Sequence, residues 1–524
     1  MKNPAKFNFL SMFKLVKSLS MSERIYFKKF ASVNYPNEEG EFVKLFILLE
    51  GMKVFDRQKI EDLFDVNKPR SKINQAGLSL NYQLLGAMRA YNSNISVDTE
   101  LKDSLRDMEL LYIKGHYVQC KKLLEKAKKK ASRYERLDRI IELLEWERKL
   151  VSKYIGIEHQ AMFMQKIFDD LGEVLEKKLN LYQLEFCFNV KYSMIKRYNM
   201  IRSKEDLKRW KQMTDTSITL GSIRPLTFTG EIFYHHINSM NYFVKGQMEK
   251  VIDLTYKRFE VLNAKPDLIR DSPHQYITVL GNILTCRASL GIINKTSHHT
   301  NKKEFFKKLD VLREFSSNSI EIETRVFANS TIHEIGFYIN TGDFFKASEL
   351  SEKGTKQMKN LASRLGKGAE LAFLYYSAYA HFVSQKYELA KEALNNILTK
   401  NYGEMRSDLQ CFARILNLML QYDMGIRKGM ENTIIDAENF IVNKGKLYQM
   451  ESRIIDLFRK IAEENLTANA IKKAFIELKK KLSHAAQEKY ASNFDEYHHF
   501  MWWIESKKGG RSITEIAGDV IHKK

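Results

Sequence analysis

Four times along this chain an apolar helical pattern stops at a short polar turn. A second pattern then starts with an aromatic or apolar residue, followed three positions later by a smaller one. The clearest copy is Leu111-Tyr112-Ile113-Lys114-Gly115-His116-Tyr117, continued by Cys120, Leu124 and Ala127. Tyr242-Phe243-Val244-Lys245-Gly246-Gln247-Met248 with Val251 repeats it, as does Tyr338-Ile339-Asn340-Thr341-Gly342-Asp343-Phe344 with Ala347. His381-Phe382-Val383-Ser384-Gln385-Lys386-Tyr387 with Ala390, Leu394 and Ile397 keeps the shape, with Gln385 in the glycine position. The glycine closes a tight turn between antiparallel helices, the aromatic fills the hairpin base, and the small residue lets the helices approach. Such a hairpin cannot bury its apolar face alone, so the pattern predicts a stack of hairpins.

Marked by the small residue, the copies stand at Cys120, Val251, Ala347 and Ala390, nearly three, two and one units of about 43 residues apart. Weaker markers fill the gaps: Ala161 after a break at Tyr154 to His159, Leu207 after Arg202-Ser203, Phe306 after a polar stretch, Ile434 after Gly429 and Lys472 after Leu466-Thr467. Nine hairpins result. The turn resembles the tetratricopeptide signature, G-x-Y-x-x-A, at the bend between helix A and helix B of a repeat. The resemblance implies an all-α fold, a right-handed superhelical array of antiparallel helix hairpins. The spacing exceeds the roughly 34 residues usual for that repeat, which calls for longer helices or turns. Asn294 to Lys303, rich in His and Lys, reads as a loop inserted between the helices of one repeat.

Ahead of the array, residues 1–93 read as a helical domain with helices over Phe9 to Ser18, Ser22 to Ala31, Gly40 to Met52, Arg57 to Phe64 and Ser71 to Tyr91. The repeats occupy 100–482, and 483–524 holds a capping helix, His484 to Glu505, and a tail in which Trp502 and Trp503 seal the last repeat. Leu15 to Ser20, Ser22-Glu23-Arg24, Tyr26 to Phe30 and Leu144 to Leu150 resemble a bacterial family of helical-repeat proteins without an assigned activity. That resemblance implies a fold and no mechanism.

Only 6 prolines and 24 glycines interrupt 524 residues, so helix can run almost throughout. Lysines 2, 6, 14 and 17 break the N-terminal apolar run, so export by a cleaved leader is not expected, and no window has the apolar length of a spanning helix. Four well-separated cysteines, Cys120, Cys187, Cys286 and Cys411, read as core residues of a reduced, cytoplasmic protein. The net charge of +21 favours anionic partners. Much of it follows helical spacing, as in Lys121, Lys122, Lys126, Lys128, Lys129 and Lys130, the pattern of a solvated helix face.

The motifs of catalysis are missing. His235-His236, His298-His299 and His498-His499 point about 100° apart on a helix and do not converge on one ion; Glu231 and Asp495 add at most a second ligand. Phe337 stands where H-E-x-x-H would place its second histidine after His333-Glu334. No phosphate loop or nucleophile elbow occurs, and Leu365-Gly366-Lys367-Gly368 follows no strand. A non-enzymatic protein without cofactor or metal is expected.

In tetratricopeptide arrays ligands lie in the concave groove lined by helix A. Counting back from Ala390, that resemblance implies Tyr375, Tyr379 and Phe382 as partner-binding residues; from Val251 it implies His236, Met240 and Phe243. Such a lining suits a peptide or protein partner with apolar anchors, which makes a scaffold the expected function, although an aromatic stripe at helical spacing is more often buried core than a ligand site. The alternative is nucleic-acid binding, by RNA or ribosome contact through the basic surface, or by a helix-turn-helix from Arg57 to Tyr91 with Lys68, Arg70 and Lys72. Insertion into a membrane is not expected.

Overall fold

A computed structural model describes residues 7–34, 40–64, 70–93, 96–214, 223–293, 298–315, 319–361, 364–426, 428–445, 448–463, 466–485 and 494–522. Among these residues every regular element is a helix. The chain divides into two compact units, Met1–Leu171 and Gly172–Lys524.

The first unit starts with α1 (Phe9–Ser18), α2 (Met21–Asn34), α3 (Glu41–Gly51), α4 (Arg57–Leu63) and α5 (Arg70–Tyr91), within a residue or three of the expected spans. Phe9, Val16, Phe27, Leu45, Phe46 and Leu80 form their common core. Residues 65–69, including Lys68 of the helix-turn-helix reading, lie outside the described residues. Helices α6 (Val97–Ile113), α7 (Tyr117–Arg133) and α8 (Leu137–Tyr154) then pack in sequence around Cys120, Leu124 and Leu143. On α7, Lys128 pairs with Glu147, Lys130 pairs with Glu100, and Lys121 lies over the Tyr154 ring, which leaves Lys122, Lys126 and Lys129 on the solvated side.

Helix α9 (Ile157–Tyr198) spans the division. The nine-hairpin reading requires a turn within it; the structure has none, and 42 residues run as one helix.

The second unit continues with α10 (Lys204–Thr214), α11 (Phe228–Phe243), α12 (Met248–Asn263), α13 (Pro266–Asp271), α14 (Pro273–Ile293), α15 (His298–Arg313), α16 (Ile320–Asn340) and α17 (Phe344–Leu361). Next come α18 (Lys367–Val383), α19 (Tyr387–Thr399), α20 (Ser407–Asp423), α21 (Met430–Asn443), α22 (Gln449–Glu463) and α23 (Ala468–Ala485). Neighbouring helices pack in pairs, and α14, α16, α18, α20 and α22 also pack one on the next, as in a helical array. The stretch expected to be a loop up to Lys303 is helical from His298 onward, with Asn294 to Ser297 outside the described residues. The apolar face of α15, Phe305, Leu309 and Leu312, recruits it into a buried cluster.

All four quoted turns join consecutive helices, and each places its key residue at positive φ: Gly115 at 76°, Gly246 at 69°, Gly342 at 78° and Gln385 at 60°. The same bond closes them, from the amide after that residue to a carbonyl five positions back: His116 to Leu111, Gln247 to Tyr242, Asp343 to Tyr338 and Lys386 to His381. Glu135, at 50° with Arg136 bonded to Ala131, and Gly425, at 73° with Ile426 bonded to Gln421, are two further copies that the sequence markers missed.

The C-terminal span also differs from expectation. Instead of one helix over His484 to Glu505, α23 ends at Ala485 and α24 (Asp495–Gly509) follows, with 486–493 outside the described residues; the expected tail contains α25 (Ile513–His522).

The left-handed turn yields a stability prediction. Gln385→Gly relieves an L-residue held at positive φ and should raise stability by about 0.5–1 kcal/mol. Gly342→Ala should cost about 1 kcal/mol or more, because a Cβ there also comes within 3.3 Å of Ile521 Cδ1. Thermal or urea unfolding of the two variants beside the parent checks both signs.

Candidate functional site

Helix α18 has two faces, and the expected groove residues lie on the one turned into the core. Tyr375 and Tyr379 are fully buried and Phe382 is 2% exposed. What covers this face is α24. The Tyr379 ring stacks on His499 at 4.7 Å and its hydroxyl donates to the His499 carbonyl at 3.2 Å, while Phe412, beside Tyr375, stacks on Phe494 at 5.6 Å. As the chain stands, these three side chains offer no surface to a partner. On α11, His236 and Met240 are likewise buried; His236 lies against the Phe188 ring at 4.9 Å. Phe243 alone of the six is half-buried, packed beside Val244 and Trp210.

A buried polar chain fastens α24 in place. Asp495 Oδ2 accepts from Ser289 Oγ of α14 at 2.9 Å and from Asn340 Nδ2 of α16 at 2.8 Å. Asn340 Oδ1 then takes the remaining role toward His499 Nε2 at 3.0 Å, which makes that nitrogen the protonated one. Burial, with His498 adding to it, holds the His499 pKa down to about 3, so the ring is neutral. Trp503 packs between Phe458 and Phe475 and donates to Asp423 Oδ2 at 3.2 Å, and Trp502 meets the Phe344 ring. Glu496 is buried too. Desolvation, reinforced by Asp495 and Asp408 and opposed by Arg406, pushes its pKa up to about 8.

The opposite face of α18 opens into a cleft of about 310 Å³ between α17 and α19. Its floor is apolar, with Met358, Phe373, Leu374 and Ala393, and exposed Leu389 lines its mouth. Two polar groups of α18 reach it. Ser377 is 2% exposed and its hydroxyl has no hydrogen-bond partner; His381 is buried, its Nδ1 2.9 Å from Ser348 Oγ. Burial lowers the His381 pKa to about 4, so the imidazole is neutral at physiological pH. Three ion pairs line the rim: Lys359 with Glu392 at 3.2 Å, Lys400 with Glu370 at 2.7 Å and Lys386 with Glu352 at 2.5 Å. A buried hydroxyl without a partner costs free energy that a ligand's polar group can recover. The cleft therefore suits an apolar group carrying one hydrogen-bonding atom.

The histidine pairs stay apart, as adjacent helical residues must: His235 half-buried near Glu231 beside buried His236, and half-buried His498 beside buried His499. The side chains of His298 and His299 lie outside the described residues. Among those described, no group of three or more His, Cys, Asp or Glu is placed to hold a metal ion, and none of the helices is long and apolar enough to cross a membrane. All four cysteines are buried. Compared with protein-family models, with curated proteins and with solved structures, the chain matches none.

Sequence reasoning missed the cleft for a definable reason. Ser377 and His381 interrupt the apolar run from Phe373 to Val383, four residues apart on one side of the helix, and such polar breaks in a buried helix were the available signal.

Glu496 makes stability depend on pH. It holds its proton more tightly in the folded chain than in the unfolded one, so its contribution is complete below about pH 4.5 and is lost as the pH rises toward about 8. Glu496→Gln should therefore stabilise the protein at pH 8 by on the order of a few kcal/mol and change little at pH 4.5. Melting temperatures of parent and variant between these pH values check it; parallel curves would contradict the assignment.

Proposed function

We propose that the protein is a non-enzymatic scaffold, a tetratricopeptide-like superhelical array of helix hairpins acting in a reducing, cytoplasmic compartment. In this reading it holds a segment of a protein partner through the cleft between α17 and α19. The observation that carries it is the unpartnered Ser377 hydroxyl over an apolar floor in an open cleft. The hairpin turns support the fold part of the reading, and the burial of all four well-separated cysteines supports the compartment part. The binding position differs from the one counted from the repeat signature, because α24 covers Tyr375 and Tyr379. An apolar anchor of the partner, a leucine- or phenylalanine-sized side chain, would lie on Phe373 and Leu374 while a backbone carbonyl or amide takes the Ser377 hydroxyl. The rim ion pairs would orient the flanking polar residues.

Leu389 stands at the mouth, 37% exposed, so a charge there alters the cleft without entering the core. The tagged chain is recovered from native lysate with and without nuclease, beside Leu389→Glu and with melting temperatures matched. A protein that survives nuclease and 0.5 M salt with the parent, and is reduced at least about 10-fold with Leu389→Glu, is expected, since apolar anchoring depends little on salt. Recovery dominated by nucleic acid and lost on nuclease treatment would replace this reading with the basic-surface one.

A further inference from the structure

At one end of the first unit, exposed aliphatic side chains, aromatic rings and lysines come together. Helices α6 and α7 turn there through Lys114-Gly115-His116, and α8 ends beside them at Tyr154, just before α9 begins at Ile157. Ring contacts fix the adjacency. Tyr112 lies 5.3 Å from Tyr117 and 5.7 Å from Trp146, Lys121 Nζ of α7 stands 4.3 Å from the Tyr154 ring, and Lys153 Nζ of α8 stands 5.4 Å from the Tyr117 ring.

Four aliphatic residues around these two turns stay out of the unit's own core. Leu110 is 56% exposed, Ile113 71%, Val118 69% and Ile157 85%, while Met108, Cys120, Leu124 and Leu150 of α6, α7 and α8 close the core behind them. Single exposed aliphatics are ordinary, but four at one end of a bundle mark an interaction surface. Tyr112, Tyr117, Trp146 and Tyr154 are half-buried against that core. Three of these rings hold a lysine ammonium: Tyr117 that of Lys153, Tyr154 that of Lys121, and Trp146 that of Lys149 at 4.5 Å. Over residues 109–122 and 149–159, Lys114, Lys121, Lys122, Lys149 and Lys153 stand against Glu109 and Glu158 alone. None of the five lysines forms an ion pair among the described residues.

Aliphatic tips, then amphipathic rings, then lysines whose stems lie on apolar surface follow the order of polarity across a lipid headgroup layer. We infer that this end of the first unit docks on an anionic lipid surface, with Leu110, Ile113, Val118 and Ile157 entering the headgroup–acyl boundary and the lysines meeting the lipid charges. The shape favours lipid over a folded partner. The turn projects, since a Cβ added to Gly115 would meet nothing within 4 Å; a protein would need a matching hollow, whereas a fluid interface adapts to the tip. Nucleic acid would answer the lysines and leave the aliphatics in water. Only a surface both anionic and apolar uses both sets of side chains, and attachment to it grows with buried apolar area and with basic charge.

The test uses the full chain and vesicles of phosphatidylcholine with or without about 30% phosphatidylserine, at about 0.1 M salt. The chain should sediment with the anionic vesicles and bind the neutral ones at least about 10-fold more weakly. Ile113→Asp and Val118→Asp, both at exposed positions, should keep the helical circular dichroism and melting temperature and each weaken vesicle binding about 10-fold or more. Lys114→Gln and Lys122→Gln should each weaken it about five-fold. Depth is read from a polarity-sensitive dye on Ile113→Cys, the four native cysteines being buried; its emission should move to the blue with anionic vesicles. A chain that stays in the supernatant, binding indifferent to both aspartates, or a dye that remains in water would each overturn the inference. A dimer that Ile113→Asp dissolves, without vesicle binding, would give the tip to a second copy instead. Leu389→Glu should bind vesicles as the parent does, so the fate of the cleft reading is decided separately.

Discussion

The second unit is organised around a carboxylate that cannot be left alone. Asp495 Oδ2, held by Ser289 and Asn340, joins α14 and α16 to α24, and Asn340 passes the connection to His499, whose ring lies on Tyr379 of α18. Removing α24 would strand these polar groups and expose Phe494, Phe500, Trp502, Trp503 and Ile504, all now buried. At roughly 1.5–3 kcal/mol for each large apolar side chain, that exposure alone costs on the order of 10 kcal/mol. A partner peptide competing for the same face would have to supply an equal apolar area and also match the spacing of the Asp495 and His499 contacts. Helix α24 is therefore part of the fold of this unit, and it covers the Tyr375 and Tyr379 side of α18.

What could be read from the sequence follows how local each cause is. The hairpin turns were legible because a left-handed residue, the bond back over five positions and a small residue one turn later all lie within a dozen residues. Gln385 shows the limit of that reading. Its φ of 60° is imposed by the helices it joins, since its own side chain disfavours it. The N-terminal helices were legible for the same reason, through turn residues and apolar spacing. The course of α24 was not: its partners Ser289, Asn340 and Tyr379 are separated from it by more than a hundred residues, and no periodicity encodes them. His298 to Lys303 failed in the other direction. Its polarity predicts a loop, yet it sits at the start of a helix whose later turns, Phe305, Leu309 and Leu312, are anchored in the core.

Helix α9 shows why apolar spacing alone does not separate core from surface. Threes and fours occur on both of its sides. Ile167, Val174 and Leu181 are buried, while Phe168, Leu175 and Leu179 are exposed. A sequence that specified only its own fold would place polar residues on the second side, as α7 does with Lys122, Lys126 and Lys129. The two sides of α18 also differ: the side carrying Tyr375 and Tyr379 packs against α24, and the side carrying Phe373 and Leu374 lines an open cleft over the unpartnered Ser377 hydroxyl. A fold under pressure only to be stable would place alanine at 377, since a small apolar side chain there leaves no polar atom unsatisfied. The serine and the exposed apolar side of α9 are thus two of the places, among the described residues, where this chain departs from what its own packing requires.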